Sequence, residues 1–158
     1  MGKRIDYLND PDAPQATSVV PSANVIVVND QDEILMIRRT DNDNWAVPGG
    51  GMDPGESITE TAVRETEEET GITCEITGLT GIYTNPRHVI LYTSNGEVRQ
   101  EFSIVFTARP VGGQLRPSSE SAEPQWVAAK MIPGLTMHPS MRQRIQHYLD
   151  NRPQPYLG

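Results

Sequence analysis

Cysteine is nearly absent: Cys74 is the only one in 158 residues. That excludes an internal disulfide and any cysteine-based metal cluster, and we read Cys74 as a buried, inert thiol. Long apolar runs are also missing, the longest being short stretches such as Ala23 to Val28. Nothing in the sequence spans a bilayer, and the first residues carry no signal-like apolar segment, so a cytoplasmic location is the default expectation. Basic residues are outnumbered, 13 Lys and Arg against 21 Asp and Glu, for a formal net charge of −8. With no basic stripe, this argues against a general nucleic-acid or anionic-membrane binder. It leaves room for a small phosphorylated ligand, because a bound divalent cation inverts the local charge. Apolar content is a modest 36%, yet the length supports one domain with a real core. There is no internal repeat and no interdomain linker.

What the chain does have is turns, with 13 glycines and 13 prolines. Residues 1–22, rich in Pro, Asp and Ser, read as an extended N-terminal arm, ordered where it packs on the body or a partner. Residues 23–150 read as the folded domain and 151–158 as a flexible tail. Within the domain, "ANVIVV" (23–28) and "ILMIRR" (34–39) look like the strands of a hairpin. Ser57 followed by Glu60 fits a capping box, and Gly71 fits a C-terminal stop, which frames a helix over 57–70. Residues 73–84 alternate like a strand. Residues 86–93 and 97–111 read as two antiparallel strands, with Arg99 and Glu101 sharing an outward face. A long loop (112–125), a short strand (126–132) and a last helix (138–150) follow, with Met141, Ile145, Tyr148 and Leu149 on one helical face. Mixed strands with one early and one late helix give an α+β class.

The early helix is acidic in an unusual place. Glu65, Glu68 and Glu69 stand at i, i+3 and i+4, so they share one face. Glu65 and Glu69 repel each other, and the C-terminal half of a helix disfavours anions by about 0.3–1 kcal/mol each. A hydrophilic surface, with Arg64 pairing to Glu60 and Glu68, is one reading. A hard divalent ion is the other, since Mg²⁺ takes carboxylate oxygens and water. The segment just upstream, "WAVPGGGMDPGES" (45–57), favours the second: Gly49, Gly50 and Gly51 permit positive φ and close backbone approach, and Pro48 stiffens the entry.

Residues 50–72, "GGMDPGESITETAVRETEEETGI", resemble the Nudix box, on which Gly50, Glu56, Arg64, Glu65, Glu68, Glu69, Gly71 and Ile72 fall. The one departure is Thr66, where an aliphatic residue is usual; its methyl can still face the core. The resemblance covers about residues 20–150. It implies an α/β/α sandwich with a mixed, partly barrel-like sheet, and Mg²⁺- or Mn²⁺-dependent hydrolysis of a nucleoside diphosphate linked to a further group X. It assigns metal ligation to Glu65, Glu68 and Glu69 with the Gly50 carbonyl, catalytic roles to Glu65 and Glu68, and structural roles to Glu56, Arg64 and Gly71. It also implies a further acid from a later loop, with Glu120 favoured over Glu123 because its spacing from Trp126 resembles the nucleoside-triphosphate type. Trp45, Arg87 and Arg99 are the candidate substrate contacts. His138 is read as the start of the last helix, with Ser140 helping to cap it.

The substrate stays open. Pro86 falls short of the spacing at which a proline marks ADP-ribose-cleaving members, and CxxC zinc modules of NADH-cleaving relatives are absent. Nucleotide sugars, dinucleotides and nucleoside triphosphates all remain, beside a non-catalytic sensor module and, less in keeping with the charge, capped RNA. A homodimer is expected from the arm and the exposed sheet edges.

Overall fold

The computed structural model describes residues 2–158. In chain order its strands are β1 (Arg4–Leu8), β2 (Ser18–Val19), β3 (Ser22–Val27), β4 (Glu33–Arg39), β5 (Trp45–Ala46) and β6 (Gly49–Gly51). Helix α1 (Ile58–Thr70) precedes β7 (Ile72–Tyr83), β8 (His88–Tyr92), β9 (Glu97–Gln100), β10 (Ser103–Gly113) and β11 (Ser121–Ala128). A 3-10 helix (Ala129–Gly134), α2 (Pro139–Leu149) and β12 (Tyr156–Leu157) complete the described chain. Among the described residues no helix is long and apolar enough to cross a membrane.

The central sheet runs β12–β7–β10–β3–β6, with β3 parallel to β10 and β7 antiparallel to it. The period-2 alternation of β3 splits the core into two layers. Ala23, Val25 and Val27 point to one side, where Ala62 of α1, Ile72, Cys74 and Phe106 bury them. Ile26 points to the other, among Met36, Val105 and Ile145 of α2. Each such fully buried aliphatic side chain contributes about 1.5–3 kcal/mol. Two helices on opposite faces of a mixed sheet follow from this alternation.

Helix α1 starts where its sequence indicates. The Ser57 hydroxyl accepts from the Glu60 N–H at 3.2 Å, and Glu60 accepts from the Ser57 N–H at 3.0 Å. Gly71 ends it at φ +83°, where a Cβ would strike the Gln114 carbonyl. Thr66 is fully buried and gives its hydroxyl to the Ala62 carbonyl at 2.8 Å, so its polar atom is satisfied within the helix.

Four expectations need correction. Among the described residues no sheet is barrel-like or closed: the other two sheets, β1–β8–β9–β2 and β11–β4–β5, end in open edges as the central one does. The reason lies in the expected hairpin. Strands β3 and β4 share a single bridge, Val28 to Ile34, and then diverge into different sheets, because β3 is already paired on both sides by β10 and β6. The expected strand 97–111 is likewise two strands, β9 and β10, broken at Glu101 and Phe102. Glu101 turns inward, not outward, and is buried.

The terminal segments are built into the sheets. Strand β1 pairs antiparallel with β8, Arg4 opposite Tyr92 and Leu8 opposite His88. Strand β12 pairs in parallel with β7, and Tyr156 stacks on Tyr83 at 5.0 Å.

Candidate active site

The glycine strand β6 lies antiparallel to the start of β3, with Gly50 opposite Ala23. None of its three glycines has a positive φ, so of the two freedoms glycine permits there, left-handed backbone is not used. Close approach is what they supply. A Cβ on Gly50 would lie 2.5 Å from the Glu65 carboxyl carbon, and one on Gly49 would strike the Ala23 carbonyl. The backbone of the loop is therefore pressed against the carboxylate face of α1.

Arg64 locks loop and helix together. It donates through Nε and Nη2 to the two Glu56 oxygens at 2.9 and 2.7 Å, and through Nη2 to the Gly51 carbonyl at 3.2 Å. Its Nη1 reaches Glu65 at 2.9 Å and Glu68 at 3.3 Å. Glu56 also accepts from the Asp53 N–H and the Thr61 hydroxyl, each at 2.8 Å. Arg64, then the Asp53 N–H, hold the Glu56 carboxyl down to about 2. So Glu56 is a fixed anion, and a clamp of this bidentate kind is geometrically specific.

The other helix carboxyls are pushed the opposite way. Glu69 is buried and Glu65 nearly so, while Glu68 is open to solvent. Burial, reinforced by the charges of Glu65 and Glu120, lifts Glu69 to about 9 against the opposing pull of Arg39. Burial also raises Glu65, with Glu68 adding to it and Arg64 opposing. Two adjoining buried carboxyls that resist ionising together are stabilised as anions by a cation between them. A donor set of carboxylate oxygens against a glycine backbone, with an exposed third carboxylate, fits Mg²⁺ or Mn²⁺, which keep several waters.

The two late-loop acids separate. Glu123 sits at φ +52° and pairs with Arg38 at 2.8 Å, turned to that partner. Glu120 is exposed, and its charge is among those acting on Glu69. The adjoining Ser121 is fully buried and gives its hydroxyl to the Glu69 carbonyl, which ties this loop to the end of α1.

A cleft opens beside Gly50 and Glu69, lined further by Trp45, Arg99, Asn24, Arg39 and Tyr92. Trp45 and Arg99, two of the candidate substrate contacts, both line it. Arg87 does not: it borders a separate shallow groove with Pro11 and Pro86. The same cleft holds residues that were not among the candidate site residues. Arg144 of α2 is buried and donates to Glu101 and to Asn24. His88 is buried between Asp6 at 3.5 Å and Glu101 at 3.4 Å. Burial works against the charge of each of these groups, but their mutual attraction wins, so Asp6 and Glu101 lie below the ordinary carboxylate range and His88 above the ordinary imidazole value. His138 caps α2, its Nδ1 accepting from the Ser140 N–H at 3.2 Å, and its ring stacks on His88 at 5.2 Å. A signal for Arg144 existed: with Met141, Ile145 and Tyr148 it stands at i, i+3, i+4 and i+7, an arginine on an otherwise apolar stripe.

Comparison with known proteins agrees with this geometry. Residues 19–148 match the NUDIX domain. A Bacillus subtilis (strain 168) protein provisionally named an 8-oxo-dGTP diphosphatase is 35% identical over 78% of this chain and 76% of its own length. A MutT-like protein of Streptomyces ambofaciens is 39% identical over 65% of this chain and 59% of its own. An ADP-ribose pyrophosphatase of Methanocaldococcus jannaschii is 31% identical over 69% and 62%. The chain thus spans about six-tenths of the length of two of these relatives. Among solved structures, a NUDIX hydrolase from Nitrosomonas europaea superposes with a TM-score of 0.69 at 23% identity, over 87% of this chain and 93% of that one. A MutT protein from Methanosarcina mazei Go1 superposes at 0.66 and 26% identity, over 86% and 97%.

Proposed function

This chain belongs to the Nudix family, and from that premise we propose that it hydrolyses the pyrophosphate linkage of a nucleoside diphosphate joined to a further group X, with Mg²⁺ or Mn²⁺. The observation that carries the reading is the Glu65–Glu69 carboxyl pair, largely buried, with Glu65 packed against the Gly50 backbone. Glu65, Glu68 and Glu69 would hold the cation. When bound, such an ion offsets charge on the pyrophosphate oxygens and acidifies its water ligand.

The chain's own residues do the rest. Arg64 and Glu56 fix the loop on the helix, so the carboxylates need no rearrangement when substrate arrives. Glu65, held by Arg64, orients the attacking water. Glu120, on the exposed late loop, with its charge acting on Glu69, is the candidate general base and takes the proton that water loses. Trp45 offers an aromatic face to a base, and Arg99 lines the same cleft.

A second reading is hydrolysis of a nucleoside triphosphate. The spacing of Glu120 from Trp126 favours it, as does the Bacillus subtilis relative named for a deoxynucleoside triphosphate. The Methanocaldococcus jannaschii relative, named for ADP-ribose, favours the first. Products separate the two. A panel of ADP-ribose, dinucleotides, nucleotide sugars and common and oxidised triphosphates, assayed with Mg²⁺, yields a nucleoside monophosphate plus phosphorylated X in the first case, and a monophosphate plus pyrophosphate in the second. Turnover abolished in Glu68→Gln supports either reading. No turnover on any member, with nucleotide still bound, assigns the chain to a non-catalytic nucleotide-binding module.

A further inference from the structure

The cleft also contains an arrangement that pyrophosphate hydrolysis does not use. Asp6 on β1, His88 on β8 and His138 before α2 converge there, one ligand atom from each lying within 4.8 Å of the other two. Asp6 Oδ2 is 3.5 Å from His88 Nε2 and 3.9 Å from His138 Nε2. Neither nitrogen of the His88 ring has a hydrogen-bond partner, although the side chain is only 1% exposed. A carboxylate oxygen faces each of these nitrogens, at 3.5 and 3.4 Å, without forming a hydrogen bond, and a buried polar group with no hydrogen bond costs about 1–3 kcal/mol, so the ring has room for a closer partner.

The geometry points to a binding site for a divalent transition-metal ion of the Zn²⁺ or Co²⁺ kind, formed by Asp6 Oδ2, His88 Nε2 and His138 Nε2 and separate from the glutamates of α1. Two imidazoles and one carboxylate are the donors such ions prefer, whereas Mg²⁺ takes oxygen. Each imidazole has an outer partner of the sort that orients a metal-bound histidine. Glu101 Oε2 stands 3.4 Å from His88 Nδ1, placed to accept its proton and leave Nε2 free. Ser140 Oγ is 2.7 Å from His138 Nδ1. That nitrogen now accepts the Ser140 N–H as the helix cap; with an ion bound it would carry a proton and donate to Ser140 Oγ instead.

Charge permits the ion. Arg4 donates from Nε to Asp6 Oδ1 at 2.7 Å and reaches Oδ2 at 3.3 Å, and Arg144 pairs with Glu101. These two arginines balance the two carboxylates, and His88, whose proton those carboxylates favour, gives that proton up when an ion binds. An ion there brings two positive charges into the cleft that the glycine loop also lines. Three protein ligands leave a coordination position open for an oxygen donor, and a phosphorylated substrate lying along the cleft supplies one.

Co²⁺ alone, added to the full chain without nucleotide, tests the site. Intense visible ligand-field bands from one ion per chain are expected, displaced by Zn²⁺ and retained in Glu68→Gln. His138→Ser keeps a good helix cap while removing the imidazole. In it, and in Asp6→Asn, Co²⁺ affinity should fall by more than the roughly 10–100-fold that loss of an outer partner costs. Absence of the bands at excess Co²⁺ overturns the site. Bands that persist in His138→Ser but vanish in Glu68→Gln overturn it too, by placing the ion on α1. Because nucleotide turnover is not the readout, failure here is distinct from failure of the hydrolase reading.

Discussion

A methyl group at position 50 would occupy the space the Glu65 carboxylate now fills. Gly50→Ala should therefore cost about 1–3 kcal/mol through overpacking and lower kcat/KM by displacing Glu65. Melting temperature and steady-state kinetics on the same preparation check both. Glu69 gives a pH prediction. Its folded value is raised from 4.5 to about 9, so the native state holds a proton that the unfolded chain releases. Metal-free stability should consequently fall as pH rises from about 4.5 toward 9. Mg²⁺, which favours the ionised carboxylate, should raise the melting temperature more at the alkaline end of that window than at the acidic end. In Glu69→Gln the metal-free slope should flatten. Melting scans across pH, with Mg²⁺ and with chelator, measure all three.

Helix α1 was readable because its signals are local and mutually consistent: a capping box, a left-handed glycine and carboxylates at fixed spacing within one stretch of chain. Ser57→Ala should cost about 0.5–2 kcal/mol in urea unfolding with the slope unchanged, since it removes one side of the box and leaves the core intact. What escaped the sequence depends on partners distant along the chain. Alternation in 97–111 fits one strand as well as two, and only the burial of Glu101 against His88 and Arg144 breaks it. The pair of apolar runs at 23–28 and 34–39 carries every hairpin signal. Competition for β3 from β10, some eighty residues later, separates them. Asp6 was unreadable for the same reason, since nothing in an arm rich in Pro and Asp tells that β8 will take it as a neighbour.

Across the whole molecule, the arginines lining the cleft are already engaged by the chain's own carboxylates: Arg4 by Asp6, Arg39 by Asp41, Arg99 by Glu97 and Arg144 by Glu101. With a net charge of −8 behind them, they offer a polyanion little free positive charge. Nucleotide affinity should therefore depend on the divalent cation, with calorimetry showing weaker binding in chelator by roughly 5–150-fold, a usual span for coupled ligands. The core supplies a practical opportunity. Cys74 lies inside the layer beneath α1, and burial raises its thiol above the ordinary value. A thiol reagent should find nothing to modify until the protein is unfolded. One cysteine placed at an exposed site, such as Ser119→Cys in the late loop, would then be the only handle on the native surface. A fluorophore there would report the loop carrying Glu120 without any cysteine having first to be removed.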